Sequence, residues 1–227
     1  PKVALTSVQE CIAKGIKGIV IVSAGFKEVG GGGAEIEKQI KVLCKKAGVR
    51  LVGPNCLGVI NPSPKVSLNA SFSARMPEPG NVSFISQSGA MGLAILDRAA
   101  RERVGFRHFV SIGAMLDVDL GDLLNTFSRD REVRAIVLYV ESITRARKFM
   151  SAARAVSRIK PVIVLKAGRS RAEAAASPNS DILVDIDTIY RAAFARAGIT
   201  RVETIEELFD CTELIAKQPL PAGARLA

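Results

Sequence analysis

The chain has 227 residues, of which 48% are hydrophobic and 24% charged, and its formal net charge at pH 7 is +10. This composition excludes a mainly disordered chain, because it supplies enough apolar side chain to build a core. No apolar run approaches the ~20 residues that a helix needs to cross a bilayer, so no membrane span is expected.

The distribution of charge and cysteine bears on partners and compartment. Basic residues are spread along the chain, and aromatic residues make up only 5%, with no tryptophan. Nucleic-acid binding is therefore not expected, because stacking platforms for bases are poorly supplied. The cysteines lack C-x-x-C spacing, which favours a reduced, cytoplasmic protein. They are Cys11, Cys44, Cys56 and Cys211.

The N-terminal part of the sequence predicts two helices and two short strands. Helical patterns cover residues 7–14 and 34–47, and β-rich runs cover residues 18–23 and 49–52. The glycine run at 30–33 lacks G-x-G-x-x-G or Walker spacing. We therefore interpret it as a flexible loop.

From Gly80 onward, β-rich runs and helical patterns alternate five times. The strands are predicted at residues 82–86, 109–112, 135–140, 161–166 and 199–202. The helices are predicted at residues 89–103, 118–128, 146–158, a stretch ending near 197, and 205–217. Parallel strands need crossover helices, so the pattern predicts an α/β fold with a doubly wound, flavodoxin-like parallel sheet.

These elements divide the chain into two units. Residues 1–66 hold only two strands and are similar to the C-terminal half of a Rossmann-like unit. Residues 67–80 are rich in proline and serine and are predicted as a linker to the flavodoxin-like domain, residues 81–218. Residues 219–227 are expected to lead into a further domain, so we expect the chain to be a fragment of a longer protein.

Candidate site residues lie where predicted strands end, because ligands of open α/β sheets bind beyond the C-terminal strand ends. The turn SQSGA combines small residues with the free N–H groups of a helix start, which favours phosphate binding. Alternatively, Ser86 or Ser88 only caps the helix. The segments at strand ends are GPNCLG (53–58), SQSGA (86–90), Glu141 and GRS (168–170).

Three other residues have a chemical and a structural interpretation. Cys56 is a reactive thiol or a buried, inert one. Glu141 orients a cation or a histidine, or it stabilises the start of the next helix. His108, the one histidine of the chain, is interpreted as a structural residue.

Five segments occur in order along nearly the whole chain: VGPNCLGVINP (52–62), NASFSARMPEPGNVSFISQSGA (69–90), FVSIGAMLDVDLGDLL (109–124), IVLYVES (136–142) and VIVLKAGRS (162–170). Together they resemble the NDP-forming acyl-CoA synthetases, which include the α subunit of succinyl-CoA synthetase. The resemblance implies a partial Rossmann-like CoA-binding unit followed by the flavodoxin-like sheet. It also implies a reaction in which acyl-CoA, a nucleoside diphosphate and phosphate give the acid, CoA and the nucleoside triphosphate.

The resemblance also implies roles for single residues. It assigns CoA contacts to Pro54, Asn55 and Cys56, which belong to the GPNC loop. It assigns phosphate binding at a helix N-terminus to Ser88 and Gly89, in agreement with the interpretation of the turn from its residues alone.

The family's phosphate-carrying histidine is missing from this sequence. In the family that histidine moves phosphate between two active sites, and Glu141 matches the glutamate that orients it. Residues 176–181 read ASPNSD instead of carrying a Ser-His-Thr-Gly segment. Asn179 or Ser180 stands at the histidine position, depending on a one-residue shift in alignment. Neither an amide nor a hydroxyl forms the phosphoramidate of such a relay, and His108 lies in a different predicted strand.

This departure leads to two hypotheses of function. The sequence is similar to the synthetase-like region of Pat-type protein lysine acetyltransferases, which lacks the histidine and senses acyl-CoA. We therefore interpret the chain as a regulatory, acyl-CoA-sensing region of a protein acetyltransferase. The alternative is a part of an active, ADP-forming acetyl-CoA or acyl-CoA synthetase in which another residue or chain supplies the relay.

The resemblance further implies ligands and partners. The chain is expected to bind CoA or acetyl-CoA, to hold no metal, and to meet ATP or ADP with Mg²⁺ only through domains outside it. The expected partners are a CoA thioester and the remaining ligase, ATP-grasp and, under the first hypothesis, GNAT domains of the same protein. We expect an oligomer that binds neither nucleic acid nor membrane.

Overall fold

The computed structural model describes residues 3–168, 180–218 and 223. Its smaller unit is a two-stranded parallel sheet with two helices. Its buried side chains, including Phe26, Ile40 and Leu51, form one apolar cluster between helices and strands. Its elements are α1 (Ala4–Ala13), β1 (Gly18–Val20), a 3-10 turn (Lys27–Val29), α2 (Gly32–Ala47) and β2 (Arg50–Val52).

The larger unit is a seven-stranded sheet in the order β4-β3-β6-β5-β7-β8-β9. Its strands are β3 (Gly58–Asn61), β4 (Leu68–Ser71), β5 (Pro79–Ser86), β6 (Phe106–Ser111), β7 (Ala135–Val140), β8 (Val162–Lys166) and β9 (Thr200–Val202). Its helices are α3 (Gly89–Glu102), α4 (Leu120–Arg129), α5 (Ala146–Ser157), α6 (Ser180–Ala197) and α7 (Ile205–Lys217).

Strands β5 to β9 confirm the predicted doubly wound sheet. They are parallel, and with β5 counted as the first strand their order is 2-1-3-4-5, the flavodoxin-like order. Both faces of these strands are apolar: in β8, Val162 and Val164 pack on the side of α4, α5 and α6, while Ile163 and Leu165 pack on the side of α3 and α7. Such two-sided burial is typical of parallel sheets.

The segment 67–80 differs from the predicted linker. It holds β4 and the first residues of β5, and β3 and β4 form an antiparallel hairpin that extends the large sheet beside β6. The hairpin has little apolar periodicity because β4 is an edge strand, which tolerates polar side chains better than a central strand does. The division of the chain into domains stays a prediction, and residues 219–222 and 224–227 lie outside the described part of the chain.

In the part of the chain that the structure describes, no helix is both long and apolar enough to cross a membrane.

Candidate functional site

Two loops meet at the C-terminal edge of the large sheet, and the GPNC loop is the first of them. The Gly53–Pro54 peptide is cis, and Asn55 has a left-handed backbone with φ of 55°. The loop pairs with the segment after β6, because the amide of Ala114 donates to the carbonyl of Pro54 at 2.9 Å and that of Leu116 to Gly53 at 3.0 Å. These contacts join the two units at the point where the smaller sheet ends.

Gly113 permits this close approach. Its φ is 52°, and a Cβ built on it would lie 2.2 Å from the carbonyl oxygens of both Pro54 and Asn55. Any larger residue would therefore push the GPNC loop away from the segment after β6. Ser111, two residues earlier, accepts a 3.0 Å hydrogen bond from the amide of Leu57 through its hydroxyl.

The turn between β5 and α3 is the second loop. Ser88 is the N-cap of α3, and its hydroxyl oxygen accepts from the amide of Met91 at 3.2 Å. Gly89 and Ala90 follow in the first turn, where amide N–H groups lack intrahelical partners and carry partial positive charge. The structure thus shows the capping role of Ser88 and leaves the first-turn amides pointing out of the helix end, where an anion is favoured.

The turn between β5 and α3 lies directly against the GPNC loop. A Cβ on Gly89 would be 3.3 Å from the amide nitrogen of Leu57 and 3.7 Å from the carbonyl carbon of Cys56. The residues expected to bind CoA and those expected to bind phosphate are therefore neighbours. Their binding roles stay predictions.

Gln87 connects this turn to Glu141 and was not among the predicted site residues. Its buried side chain accepts from the amides of Glu141 at 2.6 Å and Ser142 at 2.9 Å. Glu141 is exposed directly after β7, at the same sheet edge as the two loops. The position of Gln87 in the SQSGA turn is the sequence signal that could have identified it.

Cys56 has the environment of an inert thiol. It is 4% exposed, and its Sγ donates to the carbonyl of Ile21 at 3.3 Å. Burial raises the pKa of the thiol to about 11, so it stays protonated near neutral pH. Of the two interpretations of Cys56, the structure supports the buried one. The contact that Cys56 offers a ligand is therefore limited to its backbone.

His108 lies in β6, three residues before the end of that strand at the site edge. In the pairing of β5 with β6, His108 is opposite Ser83, and Ser111 at the site edge is opposite Ser86. His108 is separated from Ser111 by three residues along the strand, a distance of ~10 Å. Its Nδ1 lies 2.9 Å from the Ser83 hydroxyl, and its ring stacks on Phe127 at 4.5 Å. Burial lowers the pKa of His108, which has a structural role as predicted.

The segment expected to carry the phosphate relay falls mostly outside the described residues. Residues 169–179, which include Asn179 and the end of the GRS loop, lie outside them. Ser180 begins α6. Among the described residues, no group of three or more histidine, cysteine or acidic side chains could hold a metal ion.

A charged network that the sequence did not predict fixes the two units beside the site. Arg50 in β2 contacts Asp117 at 2.8 Å and Asp122 at 3.3 Å. Lys148 in α5 contacts Asp122 at 2.7 Å and the buried Asp119 at 3.0 Å. These partners are distant in sequence, so no local pattern indicated them.

Comparison with protein families gives two matches. A family described as "Succinyl-CoA ligase like flavodoxin domain" matches residues 79–215, and one described as "CoA binding domain" matches residues 1–62. The first match covers most of the larger unit, and the second covers the smaller unit.

Individual relatives match nearly the whole chain. It is 42% identical over 217 residues to acetate–CoA ligase (ADP-forming) I of Archaeoglobus fulgidus, covering 95% of this chain and 31% of that protein. It is 42% identical over 219 residues to subunit alpha of acetate–CoA ligase (ADP-forming) II of Pyrococcus furiosus, covering 96% and 47%.

A solved structure extends the match to three dimensions. The dinucleotide-forming acetyl-coenzyme A synthetase 1 of Ca. Korarchaeum cryptofilum, in complex with phosphate and ADP, has a TM-score of 0.87 and 35% identity. The match covers 98% of this chain and 48% of that one. The chain thus spans less than half the length of the relatives it matches.

Proposed function

This chain belongs to the CoA-binding, succinyl-CoA-ligase-like family of NDP-forming acyl-CoA synthetases, and from that premise we propose that it is the CoA- and phosphate-binding region of an ADP-forming acyl-CoA synthetase. The observation that carries the proposal is the contact between the GPNC loop and the start of α3, where Gly89 approaches Leu57. In the proposal, a CoA thioester held at the GPNC loop and a phosphate held at the start of α3 lie side by side at this sheet edge, and the short distance between the two loops supports that arrangement. The identity to acetate–CoA ligases over 95% of the chain supports the same assignment.

In the proposed reaction the protein binds and orients the phosphate and the thioester, and no side chain forms a covalent bond in this step. A phosphate oxygen attacks the thioester carbonyl, the carbon–sulfur bond breaks, and an acyl phosphate and the CoA thiolate result. The first-turn amides of Gly89 and Ala90 hold the phosphate, and the hydroxyl hydrogen of Ser88 is available to donate, because its oxygen already serves as the cap acceptor. Asn55, exposed in its left-handed conformation, contacts CoA.

In the proposal the later transfer of phosphate to ADP passes through a histidine, as the family resemblance implies, and residues 176–181 contain no histidine. His108 does not supply it, because it is ~10 Å along the sheet from the site edge and stacked on Phe127. In the proposal the relay residue and the ADP site with Mg²⁺ belong to ATP-grasp or other ligase regions outside this chain, and Glu141 orients that residue.

A second candidate function is an acyl-CoA sensor for an acetyltransferase domain, as in Pat-type proteins. The absence of histidine from residues 176–181 favours it, since a sensor needs binding without turnover. The two candidates differ in one reaction. A ligase region releases CoA from acyl-CoA when phosphate is present, whereas a sensor binds acyl-CoA and leaves the thioester intact.

The test is thiol release from acetyl-CoA in the presence of phosphate or arsenate. The ligase proposal predicts release that depends on either anion, and a Ser88→Ala variant about tenfold or more slower, as expected for losing a hydrogen bond to a charged group. Ser128→Ala, which changes a half-buried serine on α4 whose hydroxyl donates to the Asn125 carbonyl of the same helix, is the control and keeps the rate. Acetyl-CoA binding without thiol release would support the sensor and reject the ligase region.

Two further predictions accompany this proposal. We propose a reducing, cytoplasmic location, supported by the four cysteines, which are all free. We also propose that the working protein is an oligomer or a multi-domain chain, supported by the coverage of less than half of each relative.

A further inference from the structure

Phe72 is an exposed aromatic residue in a chain that buries its aromatics. All nine phenylalanines lie within the described residues, and eight of them are at most 4% exposed. Phe72 is 58% exposed, although it follows the edge strand β4 directly. Exposure alone does not mark a site, because single apolar residues are common on protein surfaces, so the position of Phe72 carries the argument.

The backbone of Phe72 is fixed to the site. Its amide donates to the carbonyl of Leu57 at 3.2 Å, and the amide of Leu57 lies 3.3 Å from the position of a Cβ on Gly89. Leu57 thus contacts the start of α3 on one side and Phe72 on the other. Phe72 is at the open end of the β3–β4 hairpin, where Gly58 pairs with Ser71, beside the GPNC loop.

The segment that carries Phe72 is held by its own hydrogen bonds. The Ser71 hydroxyl donates to Asn69 at 2.6 Å, and the Asn69 amide group donates to the carbonyl of Ser73 at 3.0 Å. The amide of Ser73 donates back to the Ser71 hydroxyl at 3.1 Å. An exposed ring on such a fixed segment loses little conformational freedom on binding, which is typical of residues that contribute much to affinity.

Given the proposed function, on which this inference rests, we propose that Phe72 forms the apolar wall of the acyl subsite. Phosphate at the start of α3 attacks the thioester only if the carbonyl carbon comes within ~3.5 Å of it. The acyl group must therefore extend from that point, and the backbone of Phe72, an exposed aromatic residue, is hydrogen-bonded to Leu57, whose amide lies beside Gly89. The substrate class is then a carboxylic acid whose acyl group is apolar.

The test measures how much the acyl group adds to CoA binding. Dissociation constants are determined by calorimetry for CoA, acetyl-CoA and butyryl-CoA with the wild type and with Phe72→Ala. Each methylene buried on an apolar surface strengthens binding ~4-fold, so wild-type affinity is expected to rise from acetyl-CoA to butyryl-CoA. Phe72→Ala is expected to remove most of that rise while changing the affinity for CoA itself less than twofold.

The matched control is Val66→Ala, which removes an exposed apolar side chain at the turn end of the same hairpin. It is expected to leave all three affinities unchanged, and Phe72→Leu is expected to retain part of the acyl dependence. If Phe72→Ala keeps the wild-type ratio, or weakens all three ligands equally, the acyl subsite is elsewhere and the inference is wrong. If the wild type binds none of the three ligands, the proposed function itself fails. If Phe72→Ala changes the sedimentation of the protein and leaves the ratios of the three dissociation constants unchanged, Phe72 belongs to a contact between chains and the inference is wrong.

Discussion

Replacing Gly113 by alanine tests the junction between the GPNC loop and the segment after β6. Two costs add at this position. An alanine at φ of 52° costs ~1–2 kcal/mol because the left-handed region crowds its Cβ. The Cβ would also lie 2.2 Å from the carbonyl oxygens of Pro54 and Asn55, and such overpacking costs ~1–3 kcal/mol. We expect Gly113→Ala to lower the free energy of unfolding by about 2–5 kcal/mol.

Gly48→Ala is the matched control for this substitution. Gly48 ends α2 at φ of 66°, and a Cβ on it would meet no atom within 4 Å. Both variants share the left-handed cost and the loss of unfolded-state entropy, so their difference isolates the steric contact. With an m-value of ~2 kcal/mol/M, that difference of ~1–3 kcal/mol separates their urea midpoints by ~0.5–1.5 M. Equal midpoints would refute the argument that Gly113 is required by the close approach of the loop.

Three other predictions concern buried ionisable groups. Burial raises the pKa of Cys56 to about 11, so iodoacetamide at pH 8 should modify the partly exposed Cys11 well before Cys56. Mass spectrometry of digests measures the two rates of modification, and equal rates would contradict the burial of Cys56. Asp119→Asn should cost ~1–2 kcal/mol in urea unfolding, because the buried carboxylate loses its charged contacts with the half-exposed Arg145 and Lys148. Asp97→Asn, at an exposed pair, should cost under ~0.5 kcal/mol, and similar costs would argue against the network. Burial lowers the pKa of His108 below its ordinary 6.5, so the unfolded chain takes up the proton first as pH falls. Stability should therefore decrease from about pH 7.5 to 5, and less so in His108→Gln; an unchanged pH profile of the urea midpoint in the variant would oppose this assignment.

The larger unit was predictable from the sequence to within a few residues. Strand β7 and helix α7 have the predicted bounds, because their apolar patterns coincide with the buried faces that the two-sided sheet requires. The hairpin of β3 and β4 was not predictable in the same way. Its pairing depends on Gly58, whose Cβ would lie 2.3 Å from the carbonyl oxygen of Ala70, and such a backbone contact leaves no periodic signal.

The candidate site was predictable where it follows from topology. The rule that parallel strands bring their C-terminal ends to one edge places Ser88, after β5, and Glu141, after β7, together, as the structure does. The GPNC loop follows β2 of the smaller sheet, and it reaches this edge through backbone contacts with the segment after β6 that the rule does not predict. The supporting residues were not predictable. Gln87 and Gly113 act through side-chain or backbone contacts with segments more than 50 residues away, and one sequence gives no sign of such pairs.

The central claim is that CoA binds at the GPNC loop, and a calorimetric titration with CoA tests it most directly. The variant is Asn55→Gly, which removes the amide side chain while keeping the left-handed backbone at φ of 55° free of strain. The control is Ser67→Gly, since Ser67 is also exposed and left-handed but lies at the turn of the β3–β4 hairpin. The account predicts that wild type and Ser67→Gly bind CoA alike, and that Asn55→Gly binds it ~5- to 30-fold more weakly, the worth of one or two hydrogen bonds. Equal affinity of all three, or no binding by the wild type, would contradict it.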